Sequence, residues 1–336
     1  MKTILNSFLS HKNIGNFGLS NVLTNLEKFF KREGFKVNNI NNLNSKIFKN
    51  VRTSNIIHIH GCWSIVHLVV FILGKFYKKK IFITPHGMLD PNSMSNKKLK
   101  KILAWHFYQK IMIKKADCII VNSTLEKKNL QKLVRPIKIK VIFHGIHFKK
   151  RYLIKKNIKN VKFVYFSRIH SIKCPLELIS IWNQSKILSN FKLDLYGEVE
   201  DDKYYQKMKP ILASNKNINY CGALSKKNKF KKLSKYSALI HPSKTENFGM
   251  VILESLASGL FIISRNTLPW TVLEKKNIGK LLKIDLKNLE KNIPILAKKI
   301  KLLKSKDQFK KIINFLNENY DWKKIIKKYQ FIYNDN

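Results

Sequence analysis

The chain has 336 residues, 44% of them hydrophobic, a length that suits two domains of roughly 150 residues and an apolar share that excludes wholesale disorder. Its formal net charge is +46 and is not a tail: 28 basic against 5 acidic residues in 1–150, and 38 against 15 in 151–336, leave +23 on each half. Such a field favours anionic partners such as phosphates, anionic lipid or nucleic acid, although a chain-wide bias toward Lys and Asn accounts for the excess equally well.

In chain order, short apolar runs alternate with longer amphipathic segments. Strands are predicted at 2–8, 56–60, 80–84, 118–122, 140–143, 162–166, 192–196, 238–241 and 261–264. Helices are predicted at 19–33, 64–77, 96–115, 124–133, 175–185, 204–213, 226–235 and 250–258. This alternation implies βαβ units and parallel sheets. It restarts after a basic, irregular stretch, which reads as a linker. The expected organisation is a Rossmann-like domain at 1–148, a linker at 149–160, a second Rossmann-like domain at 161–310, and C-terminal helices, about 289–305 and 308–333, whose last part (311–336) returns to the first domain. Two doubly wound domains would face each other across a cleft, with ligands beyond the carboxyl ends of the strands.

The apolar run at 4–9 is interrupted by Asn6 and Ser7 and makes a poor signal peptide. The run at 65–73 contains His67 and is too short to span a bilayer, so the expected location is cytoplasmic, with membrane contact peripheral. Cys62, Cys118, Cys174 and Cys221 show no metal-type spacing, and each sits in or beside an apolar run, which predicts reduced core thiols.

Four stretches carry candidate chemistry. After the strand at 238–241 comes Pro242-Ser243-Lys244-Thr245-Glu246-Asn247-Phe248-Gly249, then a helix containing Glu254. A glycine at a helix start lets backbone approach a ligand, the free N–H groups suit a phosphate, and a neighbouring carboxylate suits sugar hydroxyls. Two glutamates eight residues apart would alone be surface acids. After the strand at 162–166 stand Arg168 and Lys173, a pair able to clamp a diphosphate, one bidentately and one as a point charge; among 66 basic residues the pair alone is weak. Gly15 and Gly18 lie between the first strand and helix, in what is equally a plain turn. His58-Ile59-His60-Gly61-Cys62-Trp63 and Thr84-Pro85-His86-Gly87-Met88-Leu89-Asp90-Pro91 each follow a predicted strand; His60 and His86 lack further ligands for a metal and are otherwise packing histidines.

Taken together these motifs resemble the retaining family 4 glycosyltransferases of the GT-B fold. The family pattern of Pro-Ser, Glu-x-Phe-Gly, a second Glu, then Ala-x-Gly stands here as Pro242, Ser243, Glu246, Phe248, Gly249, Glu254, Ala257 and Gly259. The Gly-Arg…Lys-Gly pattern keeps Arg168 and Lys173 but has Ser167 and Cys174 for its glycines, and Asn247 replaces the commoner Gly or Ser. The resemblance implies that Glu246, Asn247, Phe248 and Gly249 hold the donor sugar, Glu254 the ribose, and Arg168 and Lys173 the leaving diphosphate, with Gly15 and Gly18 on the donor. The His-Gly motifs resemble a bacterial surface-polysaccharide branch, which implies a catalytic role for His86 and acceptor contacts for His60, Trp63 and Asp90. No Asp-x-Asp occurs, so no metal or other cofactor is expected, only a nucleotide-sugar co-substrate. The implied acceptor is a glycan or lipid-linked glycan, as in polysaccharide or lipopolysaccharide synthesis. Two other classes remain open: a nucleotide-sugar epimerase of the same fold, and a basic nucleic-acid- or membrane-binding protein, against which stands the lack of any nucleic-acid recognition motif.

Overall fold

A computed structural model describes residues 2–8, 17–95, 98–134, 138–149, 160–225, 227–302 and 305–335. They fall into two compact units: Met1–Gly145 with Tyr320–Asn336, and Ile146–Asn319.

Unit 1 runs β1 (Thr3–Phe8), α1 (Phe17–Arg32), β2 (Lys36–Ile40), α2 (Lys46–Thr53), β3 (Ile56–His60), α3 (Ile65–Phe76), β4 (Lys80–Thr84), α4 (Pro91–Ser95), α5 (Lys98–Ala104), a π-helical turn (Trp105–Gln109), α6 (Lys110–Lys115), β5 (Cys118–Val121), α7 (Thr124–Leu133) and β6 (Ile139–Val141). Its strands form one parallel sheet in the order β2-β1-β3-β4-β5-β6. Alternation along the strands sends Ile57, Ile59, Ile81, Ile83, Ile119 and Val121 into a core with α2, α3, α6 and α7.

Unit 2 runs β7 (Phe163–Phe166), α8 (Pro175–Gln184), β8 (Leu193–Tyr196), α9 (Asp202–Ser214), β9 (Ile218–Tyr220), α10 (Lys229–Leu233), β10 (Ala238–His241), α11 (Met250–Leu256), β11 (Phe261–Arg265), α12 (Val272–Lys275), β12 (Gly279–Leu282), α13 (Leu286–Leu302) and α14 (Ser305–Asn319). Its parallel sheet has the order β12-β11-β10-β7-β8-β9. The central strands β7, β10 and β11 are apolar up to His241 in β10 and Ser264-Arg265 in β11, and are buried on both faces but for their last residues Phe166 and Arg265, as a sheet covered by helices on each side requires.

The last helix, α15 (Trp322–Asn334), belongs to unit 1. The Asp321 carboxylate caps it, accepting from the amides of Lys323 and Lys324. Its aromatic face lies on the side of sheet 1 away from α2 and α3: Trp322 stacks on Phe29, and Tyr333 packs against Phe30 and Phe82. Gly145 is the point of close approach, since a Cβ there would stand 2.5 Å from the Trp322 ring.

Several sequence expectations change. Strands β2, β9 and β12 were not anticipated; each is a sheet edge, with one neighbour and a mixed sequence such as Lys-Val-Asn-Asn-Ile, so the apolar signal is weak. The helix expected at 96–115 contains the π turn. The helix expected at 308–333 is two helices, broken at Tyr320 and Asp321. The segment expected at 311–336 is therefore shared: 311–319 ends α14 in unit 2, and the remainder lies in unit 1. Of the expected linker, 150–159 lies outside the described residues. All four cysteines are free, but Cys221, just past an edge strand, is exposed rather than in the core.

Candidate active site

In sheet 2 the chain leaves β7 toward β8 and β9, then returns to β10 on the other side. The reversal lies between β7 and β10, where the loops beyond the strand ends diverge and leave a crevice for a ligand. The two flanking loops carry Arg168 with Lys173 and Glu246. They are tied together: the Lys244 amide donates to the Ile172 carbonyl at 3.0 Å, and Lys173 Nζ lies 2.5 Å from Glu246 Oε1.

Glu246 Oε1 also stands 2.9 Å from Nε2 of His241, the fully buried last residue of β10. Burial pushes the Glu246 pKa up, but the Lys173 charge and the His241 hydrogen bond outweigh it and hold the carboxyl well below its ordinary range. The site therefore keeps one ionised carboxylate and one cation at close quarters, each mostly buried.

Local backbone explains the placement. After β7, His170 Nδ1 accepts from the Ile172 amide and starts a single 3-10 turn, Ser171–Lys173. Cys174 follows with φ 55°, the left-handed conformation that its glycine counterpart in the resembled motif would adopt without strain. Where β8 ends, Gly197 passes so close that a Cβ would lie 1.8 Å from the Ser167 carbonyl oxygen, so only glycine lets β7 and β8 stay paired up to Arg168. Arg168 forms an ion pair with Glu200, half-exposed on both sides.

Gly249 begins α11 at φ 85°, and a Cβ there would meet Trp270 Nε1 at 2.9 Å. That indole N–H donates to the Phe248 carbonyl at 2.8 Å, while the Phe248 ring packs edge-on against Trp270. Phe248 is thus an anchor for the loop. Asn247 is half-buried beside Glu246 in the chain. Glu254 faces Lys229 of α10 in a second, mostly buried ion pair. Burial raises its pKa, and Lys229 opposes the rise.

Unit 1 gathers its histidines. The His60 and His86 rings stack, with Nδ1 of one 3.2 Å from Nε2 of the other. The His58 ring lies tilted against His60, with its nitrogens 2.6 Å from the Tyr333 hydroxyl and 2.8 Å from Thr84 Oγ1. His144 lies behind His86. Burial drives His58 and His86 down to about 3 and His67 to about 4, and holds His60 and His144 well below the usual value.

His86 sits at φ 54° and Gly87 at φ 76°, a turn clamped by buried Glu126, which accepts from the amides of Gly87 at 2.5 Å and Asn122 at 2.7 Å. Trp63, at φ 73°, donates its amide to Gln109 in the π turn, and Asp90 accepts from Asn129 at 3.0 Å. Structure thus joins His60 to His86, while Trp63 and Asp90 are held by other partners. Gly15 lies outside the described residues, and Gly18 is in the first turn of α1. Among the described residues no group of three or more His, Cys, Asp or Glu is placed to hold a metal ion.

Sequence reasoning missed the partners: His241 and Lys229 on the glutamates, Glu200 on Arg168. Only His241, at the end of an apolar strand, carried a positional signal; Lys229 and Glu200 looked like any other charges.

Two family models match the chain. "Glycosyltransferase Family 4" matches residues 18–150, and "Glycosyl transferases group 1" matches 148–284. An uncharacterized 41.2 kDa protein in the cps region of Klebsiella pneumoniae is 25% identical over 252 residues, 70% of this chain and 68% of that one. A glycosyltransferase from Rickettsia africae shares the fold at TM-score 0.75 and 18% identity, covering 99% and 98% of the two chains. Anabaena HepE, solved with UDP and glucose, does so at 0.71 and 15%, covering 98% of each. With one family model on each unit and the same two doubly wound sheets as these solved structures, the chain belongs to the family 4 glycosyltransferases of the GT-B fold.

Proposed function

We propose that the protein transfers a hexose from a nucleoside-diphosphate sugar to a hydroxyl of a glycan or lipid-linked glycan, with retention of configuration and without a metal ion, in cell-surface polysaccharide or lipopolysaccharide synthesis on the cytoplasmic side of the membrane. The observation that carries this reading is the Lys173–Glu246 pair bridging the two loops at the reversal of sheet 2. A cation there meets the diphosphate and a carboxylate meets sugar hydroxyls, side by side. The cps-region relative and the UDP complex of HepE support a surface glycan and a nucleotide donor.

In this reading Arg168 leaves Glu200 for the diphosphate, and with Lys173 it stabilises the charge that grows as the sugar C–O bond breaks. Glu246 and the backbone from Asn247 to Gly249 hold the sugar, and Glu254 accepts from the ribose hydroxyls. Gly15 and Gly18 approach the donor. The acceptor hydroxyl attacks from the face the diphosphate leaves, and a phosphate oxygen takes its proton, so no side chain need act as covalent nucleophile. His86 keeps the role at the donor sugar that the resemblance implies, as a neutral imidazole, and His60, Trp63 and Asp90 take acceptor contacts.

A panel of UDP-, GDP-, ADP- and TDP-sugars tests the reading. One nucleotide class should raise the melting temperature and undergo slow hydrolysis to free sugar of unchanged anomeric configuration. Conversion of the donor to an epimer, or no stabilisation by any of them, would overturn it.

A further inference from the structure

The helical layer on one face of sheet 1 leaves apolar side chains in water. Helix α5 has no buried residue, although Leu99, Ile102 and Leu103 make up three of its seven. Leu99 is 79% exposed and Phe107, in the π turn, is 76% exposed; Leu103 and Ile111 are exposed too. These four stand at intervals of four residues. In a regular α-helix such a stripe drifts by about 40° per step; the wider π turn at Trp105–Gln109 turns less per residue and keeps the stripe on one side. Trp105, Gln109, Met112 and Ile113 point the other way, into the core, so the outward stripe is the unpartnered face of an anchored element. On α3, which packs on the same face of the sheet, Ile72 and Phe76 are also exposed. Contiguous exposed apolar surface on a monomer marks an interaction site.

Charge identifies the partner. Between residues 46 and 115 the only acid is Asp90, which is half-buried against Asn129, whereas basic residues recur throughout. Lys98, Lys100, Lys114 and Lys115 are exposed around the stripe. Leu, Ile and Phe side chains ringed by lysines suit the headgroup and acyl boundary of an anionic bilayer. A nucleic acid would use the lysines and leave the apolar stripe unexplained. Among the described residues no helix is long and apolar enough to cross a membrane, so contact would be in the interfacial plane.

We infer that the outer face of α5, the π turn and α6 is a docking surface for an anionic lipid bilayer, with Leu99, Leu103, Phe107 and Ile111 inserted below the headgroups. This stands apart from the nucleotide-sugar reading, because its test needs no sugar donor.

The test is flotation of the full chain with vesicles of phosphatidylcholine containing 30% phosphatidylglycerol, against pure phosphatidylcholine. Wild type should float with the anionic vesicles and not with the neutral ones. Leu103→Ser/Phe107→Ser should lower partitioning by about tenfold or more, with the circular dichroism spectrum unchanged, while Phe331→Ser, at an exposed aromatic of α15, should not. Lys98→Ser/Lys100→Ser should weaken binding more than Lys298→Ser/Lys301→Ser, which removes the same charge from α13. Equal losses from both lysine pairs, no effect of the apolar variant, or wild-type dimers that the apolar variant makes monomeric would each overturn the proposal, the last pointing to self-association.

Discussion

Glu246→Ala lowers transfer by about a thousandfold or more, with both units still folded. The carboxylate lies at the junction of three groups: its own loop after β10, His241 at the end of that strand, and Lys173 from the loop after β7. Removing it takes away the proposed acceptor for sugar hydroxyls and leaves the Lys173 ammonium without its counter-charge. Stability falls as well, by about 1–3 kcal/mol, because a mostly buried cation loses its partner. Glu246→Gln separates the effects: an amide oxygen still serves His241, but no charge holds Lys173. A neutral oxygen can still accept from the Lys173 ammonium, so Glu246→Gln should recover part of the stability lost in Glu246→Ala and still lose most of the rate. Initial rates together with urea unfolding distinguish binding chemistry from folding. Rates within threefold of wild type for Glu246→Ala would remove Glu246 from the site.

Acid weakens unit 1 before unit 2. His58, His86 and His67 bind protons in the folded chain only near pH 3 to 4, whereas unfolded histidine binds them near 6.5. A lowered folded pKa means the unfolded state takes up the extra protons, so stability is present above about pH 6.5 and is lost as the pH falls. Between pH 7 and pH 5 each such histidine costs about 2 kcal/mol, and three together on the order of 5 kcal/mol, comparable to the whole stability of a small domain. His60 and His144, also held neutral by burial, act in the same direction. Geometry gives the reason: His60 and His86 share one N···N hydrogen bond, and protonating both would set two donors face to face. Among the described residues unit 2 has no comparable cluster of buried histidines; the carboxyl of Glu246 titrates below this window, and that of Glu254, raised by burial, binds its proton more readily in the folded chain, which acts against acid unfolding. Hydrogen exchange or urea midpoints at pH 7, 6 and 5 should show unit 1 protection falling steeply and unit 2 changing little. A flat response between pH 7 and 5 would contradict the buried histidine cluster.

Much of this was readable in the sequence because strong signals coincide with the centre of each sheet. Strands β7, β10 and β11 open on apolar runs of three or more residues, and the residues that follow them must lie at the mouth of the crevice. Edge strands were missed for the opposite reason: β2 and β9 have one neighbour each and little to bury. The π turn has no composition signal of its own: the buried Trp105 and Gln109, four apart, would share a face in an ordinary α-helix too. Glu126 looks by position like an ordinary acid in the first turn after the cap Ser123, but its work is tertiary, since its carboxylate holds the His86 turn through the Gly87 amide. Lys229 lies 25 residues from Glu254, and nothing marks it among 66 basic residues until the fold brings α10 to α11. Cys174 shows the converse: a left-handed backbone persists where the sequence has given up the glycine that would make it free of strain.

The central claim is that the loops after β7 and β10 form a nucleoside-diphosphate site whose counter-charge comes from the protein. Calorimetric titration of UDP and GDP into the full chain in EDTA tests it most directly. One of the two should bind wild type with one site per chain, and Lys173→Met, still folded by circular dichroism though destabilised by about 1–3 kcal/mol because the buried Glu246 carboxylate loses its counter-charge, should bind it at least about tenfold more weakly. Binding that appears only when magnesium is added, or an affinity unchanged by Lys173→Met, would contradict the account.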